Sequence, residues 1–183
     1  MSIRDRWINL LHRAATATRK TRKLLTPIGL IIFGVFTGIF IILSMLMDWW
    51  LSLPWPLPSG PTWFIAMLLI AVGAGVTAWS VLHFLKMKGT PVPFNPPPEI
   101  VTTGPYRFAR NPMLTGVFLL LFGIGFAIKS LSLVVFFTPV YILANVWELI
   151  EIEEPELVKR LGQEYVAYRQ RTPMFLPRMR LKN

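Results

Sequence analysis

Four uncharged apolar blocks constrain this chain more than any single motif does. Pro27 to Met47 is 21 residues without a formal charge, enough at about 1.5 Å per residue to cross roughly 30 Å of hydrocarbon. Thr62 to Leu85 follows, with only His83 near one end, and then come Pro112 to Ile128 and Leu131 to Trp147. The last two are 17 residues each, near the lower limit for a span. Lys129-Ser130 between them admits only a tight helical hairpin. Charged residues make up 15% of the chain and hydrophobic residues 54%, whereas a soluble domain carries about a quarter charged. The expectation is an all-α integral membrane protein with about four transmembrane helices. Trp49, Trp50, Trp55 and Trp63 surround the first loop, as an interfacial aromatic belt does. Gly34-x-x-x-Gly38 in the first block predicts a close helix approach.

Charge placement orients the blocks. Of 19 Lys and Arg, 7 precede residue 27, 4 lie in 86–111 and 7 follow residue 147, while Lys129 alone lies at the opposite hairpin tip. With four spans the three basic segments share one side, 18 positives to 1. By the positive-inside rule that side is cytoplasmic and both termini face it. The same distribution accounts for the net charge of +10 without nucleic acid. The first block is too long for a secretory signal core and no small-residue cleavage site follows, so it reads as a retained anchor. No cysteine is present, which excludes disulfides, thiolate metal sites and a cysteine nucleophile. Two histidines, His12 and His83, leave almost no room for a histidine-rich metal site.

Residues 1–26 form a basic N-terminal segment and 27–183 the membrane domain. Ile3, Trp7, Leu10, Leu11 and Ala14 recur at helical spacing, with Arg6 and Arg13 off that face. The segment is either an amphipathic helix on anionic lipid or a frayed basic tail. Two cytoplasmic stretches remain for chemistry, 104–116 and 148–178. Before the first, "TPVPFNPPP" (90–98) predicts an extended, semi-rigid strap, and "GPYR" a turn. Asn111 is a good N-cap and Pro112 suits the first helical position, so Arg107 and Arg110 stand beside a helix start. Such a corner attracts a carboxylate or phosphate, although arginines there also snorkel to lipid phosphates.

Six of the nine acidic residues lie between Glu148 and Glu164. Glu148, Glu151 and Glu154 are spaced by threes, which predicts one slowly drifting helix face. They are either a solvated helix end partnered by Lys159 and Arg160 or half of a site. Pro155 predicts a fresh cytoplasmic amphipathic helix, with Leu157, Leu161, Tyr165 and Tyr168 as its apolar stripe. "TPMFLPR" then returns as a strap. Because one hairpin joins the last two spans, the arginine corner and the acidic cluster are predicted neighbours. A zwitterionic ligand with hydroxyls matches both.

Two stretches, "GPYRFARNPM" with the following "LTG" and "EEPELVKRLGQEYVAYRQRTPMFLPR" (153–178), resemble the integral-membrane methyltransferases of the isoprenylcysteine carboxyl methyltransferase and phospholipid methyltransferase superfamily. The resemblance implies S-adenosylmethionine as cofactor, bound on the cytoplasmic side without a Rossmann fold; no G-x-G-x-x-G is present. It carries Tyr106, Arg107, Arg110, Asn111, Pro112, Glu153 and Glu154 to the cofactor pocket and implies a methyl acceptor entering laterally from lipid. Two positions depart from the pattern: Asn111 stands where histidine is frequent, and Leu114 where tyrosine is common. Trp147 and Glu148 replace arginines found in the eukaryotic carboxyl methyltransferases, which weakens the case for a prenylcysteine carboxylate and leaves an amine, a thiol or another lipophilic acceptor. The alternatives are an NADPH-dependent membrane reductase of the sterol-reductase type, which shares the Arg-x-Pro helix start but not the "MLTG" that follows here, and a catalytically degenerate membrane scaffold. Neither a catalytic base nor an oligomeric state is legible.

Overall fold

The computed structural model describes residues 2–90, 95–97 and 99–176. Four of the nine residues of the predicted proline strap, 91–94, and Pro98 lie outside them, as does the chain beyond Leu176. The described residues are helical, with no strand among them. They form α1 (Ile3–Ala15), α2 (Arg19–Leu51), α3 (Ser59–Lys86), α4 (Pro112–Ala127), α5 (Thr138–Glu148), α6 (Glu154–Leu161) and α7 (Gln163–Arg171). A π-helical turn, Leu133–Phe137, precedes α5, and a second, Leu149–Glu153, joins it to α6. The run Leu133–Leu161 is therefore one helix of 29 residues, and with α2 and α3 it makes three helices long and apolar enough to cross a membrane. α4 is apolar but has 16 residues.

Several boundaries differ from the sequence-based expectation. α2 begins at Arg19 and carries Pro27 inside it; the residues before Pro27 are good helix formers, capped by Thr18, whose hydroxyl accepts from the Thr21 amide at 3.3 Å. Pro155 does not open a fresh helix, because the π turn carries the chain through without a break. The predicted amphipathic helix is instead interrupted at Gly162, whose φ of 60° and ψ of −139° suit almost no residue but glycine.

The bundle closes along α3 and α4, the most extensive helix pair. A Cβ on Gly73 would stand 2.7 Å from the Gly116 carbonyl oxygen, and one on Gly123 would stand 2.9 Å from the Ile70 nitrogen. The two backbones touch, as small residues permit in lipid. At Gly34 and Gly38, in contrast, a Cβ would meet nothing within 4 Å, so the close approach expected there is made by other glycines. Phe118, Leu121 and Tyr141 form the core between α4 and α5, and Phe33, Phe40 and Ile41 of α2 pack against it. At the hairpin end, Ser130 Oγ donates to Asp48 Oδ2, the Ser132 amide donates to Asp48 Oδ1 at 3.0 Å and Ser132 Oγ donates to the Ser44 carbonyl at 2.7 Å. These bonds tie the tight turn at Lys129 and Ser130 to α2. Trp49, Trp50 and Trp63 are exposed, whereas Trp55 turns in, donating to Thr62 Oγ1 at 2.8 Å.

α1 is a formed helix, with a reciprocal cap between Ser2 and Asp5. It docks on the acidic segment: Arg4 Nε pairs with Glu151 Oε2 at 3.1 Å, His12 Nδ1 lies 3.2 Å from Glu156 Oε1 and Lys159 Nζ donates to Asn9 Oδ1 at 2.7 Å. Leu11 and Ala15 are buried, while Ile3, Trp7 and Leu10 face outward. The frayed-tail alternative is thereby removed.

Candidate functional site

The "GPYR" turn is held against the end of α3. Gly104 has φ 58° and leaves no room for a side chain: a Cβ would lie 2.6 Å from the His83 ring. His83 Nε2 lies 2.9 Å from Thr103 Oγ1, and its ring stacks with that of Tyr106 at 6.2 Å. Phe84 meets the same tyrosine edge-on at 4.5 Å. From the other side, the Tyr168 hydroxyl of α7 donates to the Tyr106 carbonyl at 2.6 Å. The last described residues cross the start of α4 as the expected strap. The Arg110 and Asn111 amides donate to the Pro173 and Met174 carbonyls at 2.8 and 3.0 Å. Thr115 Oγ1 donates to the Asn111 and Phe175 carbonyls at 3.1 and 3.3 Å. Asn111 stands at the N-cap, as its type predicts, but its side chain makes no capping bond; the strap has taken over the backbone groups there.

The acidic residues separate in the π turn, where the extra residue per turn re-aims side chains. Glu148, Glu151 and Glu154 consequently do not share one face. Glu151 meets Arg4, Glu156 is buried between His12 and Arg160, and Glu148 and Glu153 are half-buried. Glu154 turns inward to Arg110: its Oε1 contacts Arg110 Nη1, and its Oε2 lies 3.4 Å from Arg169 Nη1. The side chains of Arg110 and Glu154 are 10% and 8% exposed. Their contact lacks hydrogen-bond alignment, and Arg110 Nε, Arg110 Nη1 and Glu154 Oε1 are buried without a hydrogen-bond partner. A buried charge pair with unmet donors and acceptors is a poor source of stability by itself. It is a good place for a ligand that supplies both a carboxylate and hydroxyls.

Three tyrosines line this region, and burial raises the hydroxyl of each well above its ordinary value. At Tyr165 Glu154 adds to the rise and Arg110 opposes it, while Tyr168 and Glu153 add to it at Tyr106. At Tyr168 the charges of Arg110 and Arg171 oppose it. These hydroxyls therefore remain neutral donors at physiological pH. Unfolded tyrosine ionises near pH 10, so between there and the raised native values the unfolded chain holds fewer protons. The contribution of these tyrosines to stability is then flat below about pH 10 and falls above it, by up to about 1.4 kcal/mol per pH unit for each tyrosine. Tyrosinate absorbance followed with helix content checks this: ionisation of Tyr106, Tyr165 and Tyr168 is expected to coincide with unfolding.

Of the residues singled out in the sequence, Tyr106, Arg110, Asn111, Pro112 and Glu154 come together around the start of α4, with Glu153 next to them on the π turn. Arg107 does not join Arg110: it is exposed, with its guanidinium 5.1 Å from the Phe108 ring centre. Four participants escaped sequence reasoning. His83 is the one ionisable residue of the second apolar block and Thr115 the one polar side chain of the third, and nothing local marks their partners. Arg169 lies 15 residues from Glu154 beyond the Gly162 break, a pairing no helical spacing predicts. Tyr165 shows only as part of an apolar stripe.

Similarity to known proteins follows the same elements. "Nickel-cobalt-cadmium resistance protein NccN" of Alcaligenes xylosoxydans xylosoxydans is 31% identical over 126 residues, 66% of this chain and 54% of the relative. The chain thus spans about half the length of the curated relative it matches. No solved structure matches. The sequence profile of the phospholipid methyltransferase family matches residues 61–164, more than half of the chain, from α3 to the start of α7 and across both Arg110 and Glu154. The chain therefore belongs to the phospholipid methyltransferase family, within the superfamily of integral-membrane methyltransferases.

Proposed function

We propose that the protein transfers a methyl group from S-adenosylmethionine to a lipophilic or small membrane-partitioning acceptor at the cytoplasmic face. The observation that carries this reading is the contact of Arg110 with Glu154, which joins the two stretches that resemble the superfamily. Methyltransferases of this family generally use S-adenosylmethionine, and the residues present suit it. Arg110 would offer its guanidinium donors to the methionyl carboxylate, and the start of α4 at Asn111 and Pro112 would add the positive end of the helix dipole. Glu153 and Glu154 offer acceptors to the ribose hydroxyls. Tyr106 supplies an aromatic wall close to these acids, favourable to a sulfonium. Arg107, exposed beside Phe108, would have to turn to reach the ligand.

The bound cofactor would supply an activated methyl group on sulfur, open to in-line displacement. What the chain's own residues contribute is alignment and exclusion of water. The strap of residues 172–176 and the tyrosines of α7 cover the site, and the His83 clamp holds the turn. A bound cofactor would meet Arg110 and Glu154 in place of their mutual contact, so neither charge would be left bare. The 18-to-1 charge distribution supports the cytoplasmic side. Isothermal calorimetry on the purified protein is the test. S-adenosylmethionine and S-adenosylhomocysteine are expected to bind at a 1:1 ratio; binding of NADPH and of neither adenosyl ligand overturns the proposal in favour of a reductase.

A further inference from the structure

A second cleft, about 290 Å³, lies where the turn between α1 and α2 meets the end of α6 and the proline segment. Thr16, Arg22, Pro96, Pro97 and Arg160 line it, and none of the cofactor-site candidates does. Its charges are unbalanced. Glu156, 3% exposed, is engaged by Arg160 Nε at 3.0 Å and by His12 Nδ1 at 3.2 Å. Arg22 makes no ion pair among the described residues, and its Nε is buried with no hydrogen-bond partner. A guanidinium cannot shed its proton to relieve this, and a buried donor without a partner is unfavourable until a ligand meets it. The prolines offer a wall with no amide donor, so recognition falls to the two arginines.

From these features we infer that the cleft binds a phosphate group. Two guanidiniums present planar donor forks that match phosphate oxygens, and the volume is just under the usual range for drug-sized ligands, which suits a headgroup fragment. Arg22 stands in α2 directly before its apolar stretch, the position at which basic residues of a spanning helix meet lipid headgroups. The phosphate comes either from an anionic lipid or from solution. In both cases it bridges α2 to α6, the helix that begins with Glu154. This site goes beyond the proposed methyl transfer and does not depend on it.

The test uses the full chain in phosphate-free maltoside micelles, titrated by calorimetry with short-chain phosphatidylglycerol and, separately, with inorganic phosphate. Saturable binding of the lipid alone assigns a headgroup site, and binding of inorganic phosphate assigns a free-phosphate site. Arg22→Gln is expected to weaken the interaction by about tenfold or more, the scale of a charge-assisted hydrogen bond. Because Arg22 has no acidic partner among the described residues, the substitution orphans no carboxylate there, and an unchanged helical spectrum checks its folding. Lys23→Gln removes the same charge from an exposed neighbour and is expected to leave affinity unchanged. Failure of both ligands to saturate the wild type overturns the proposal. So does an Arg22→Gln variant that binds like the wild type, or a Lys23→Gln variant that loses as much as Arg22→Gln.

Discussion

Arg110→Met and Glu154→Met are each expected to abolish S-adenosylmethionine binding and methyl transfer, yet to differ in what they do to the fold. Removing one member of a buried ion pair leaves the other uncompensated, which costs about 3–5 kcal/mol. Replacing both by apolar residues of similar volume is often neutral. Arg110→Met leaves Glu154 with Arg169 at 3.4 Å, so its cost falls at the lower end of that range. Glu154→Met leaves Arg110, 10% exposed, with no carboxylate at all among the described residues, and is the more damaging. The double variant is expected to recover most of the lost stability in thermal unfolding while remaining unable to bind the cofactor. This pattern separates a binding role from a structural one. If the double variant recovers binding along with stability, the pair is a structural strut and the cofactor lies elsewhere.

The helical class and the apolar helices of membrane length were legible because they rest on quantities the sequence states directly, block length and absence of charge. The neighbouring of Arg110 and Glu154 was legible for a topological reason, since one hairpin joins the helices that bear them. What stayed hidden depends on register. A π turn at Leu149–Glu153 changes which face each acid occupies, and no residue type announces it. Likewise Pro155 reads as a helix start, but the helix runs through it, directly after the π turn. Docking of α1 depends on Arg4, His12 and Lys159 finding partners about 150 positions away, and surface charges carry no address. The glycines show the same limit. Gly34 and Gly38 have the spacing associated with packing and face open space, whereas Gly73, Gly116 and Gly123 lie at the seam without displaying that pattern within either helix.

That seam carries the other large effect. Gly116→Ala is expected to destabilise the protein even though alanine is the better helix former. A Cβ at Gly116 would lie 2.7 Å from the Gly73 carbonyl oxygen and 2.8 Å from the Thr77 nitrogen. Both are backbone atoms that cannot rotate away, so the helices must part. Overpacking of this kind costs about 1–3 kcal/mol, more than the ~1 kcal/mol that alanine gains over glycine in a helix, and Gly116→Leu is expected to prevent the bundle from closing. Gly75→Ala supplies the control, because nothing lies within 4 Å of a Cβ there, and it is expected to be neutral or slightly stabilising. The consequence for function follows from the clamp: the last turn of α3 carries His83 and Phe84, which hold Tyr106, and α4 begins beside Arg110. Parting the helices pulls Tyr106 and Arg110 away from each other, so cofactor affinity should fall together with thermal stability across Gly116→Ala, Gly73→Ala and Gly123→Ala. Loss of stability with unchanged affinity in that series would mean that the site is assembled without the seam.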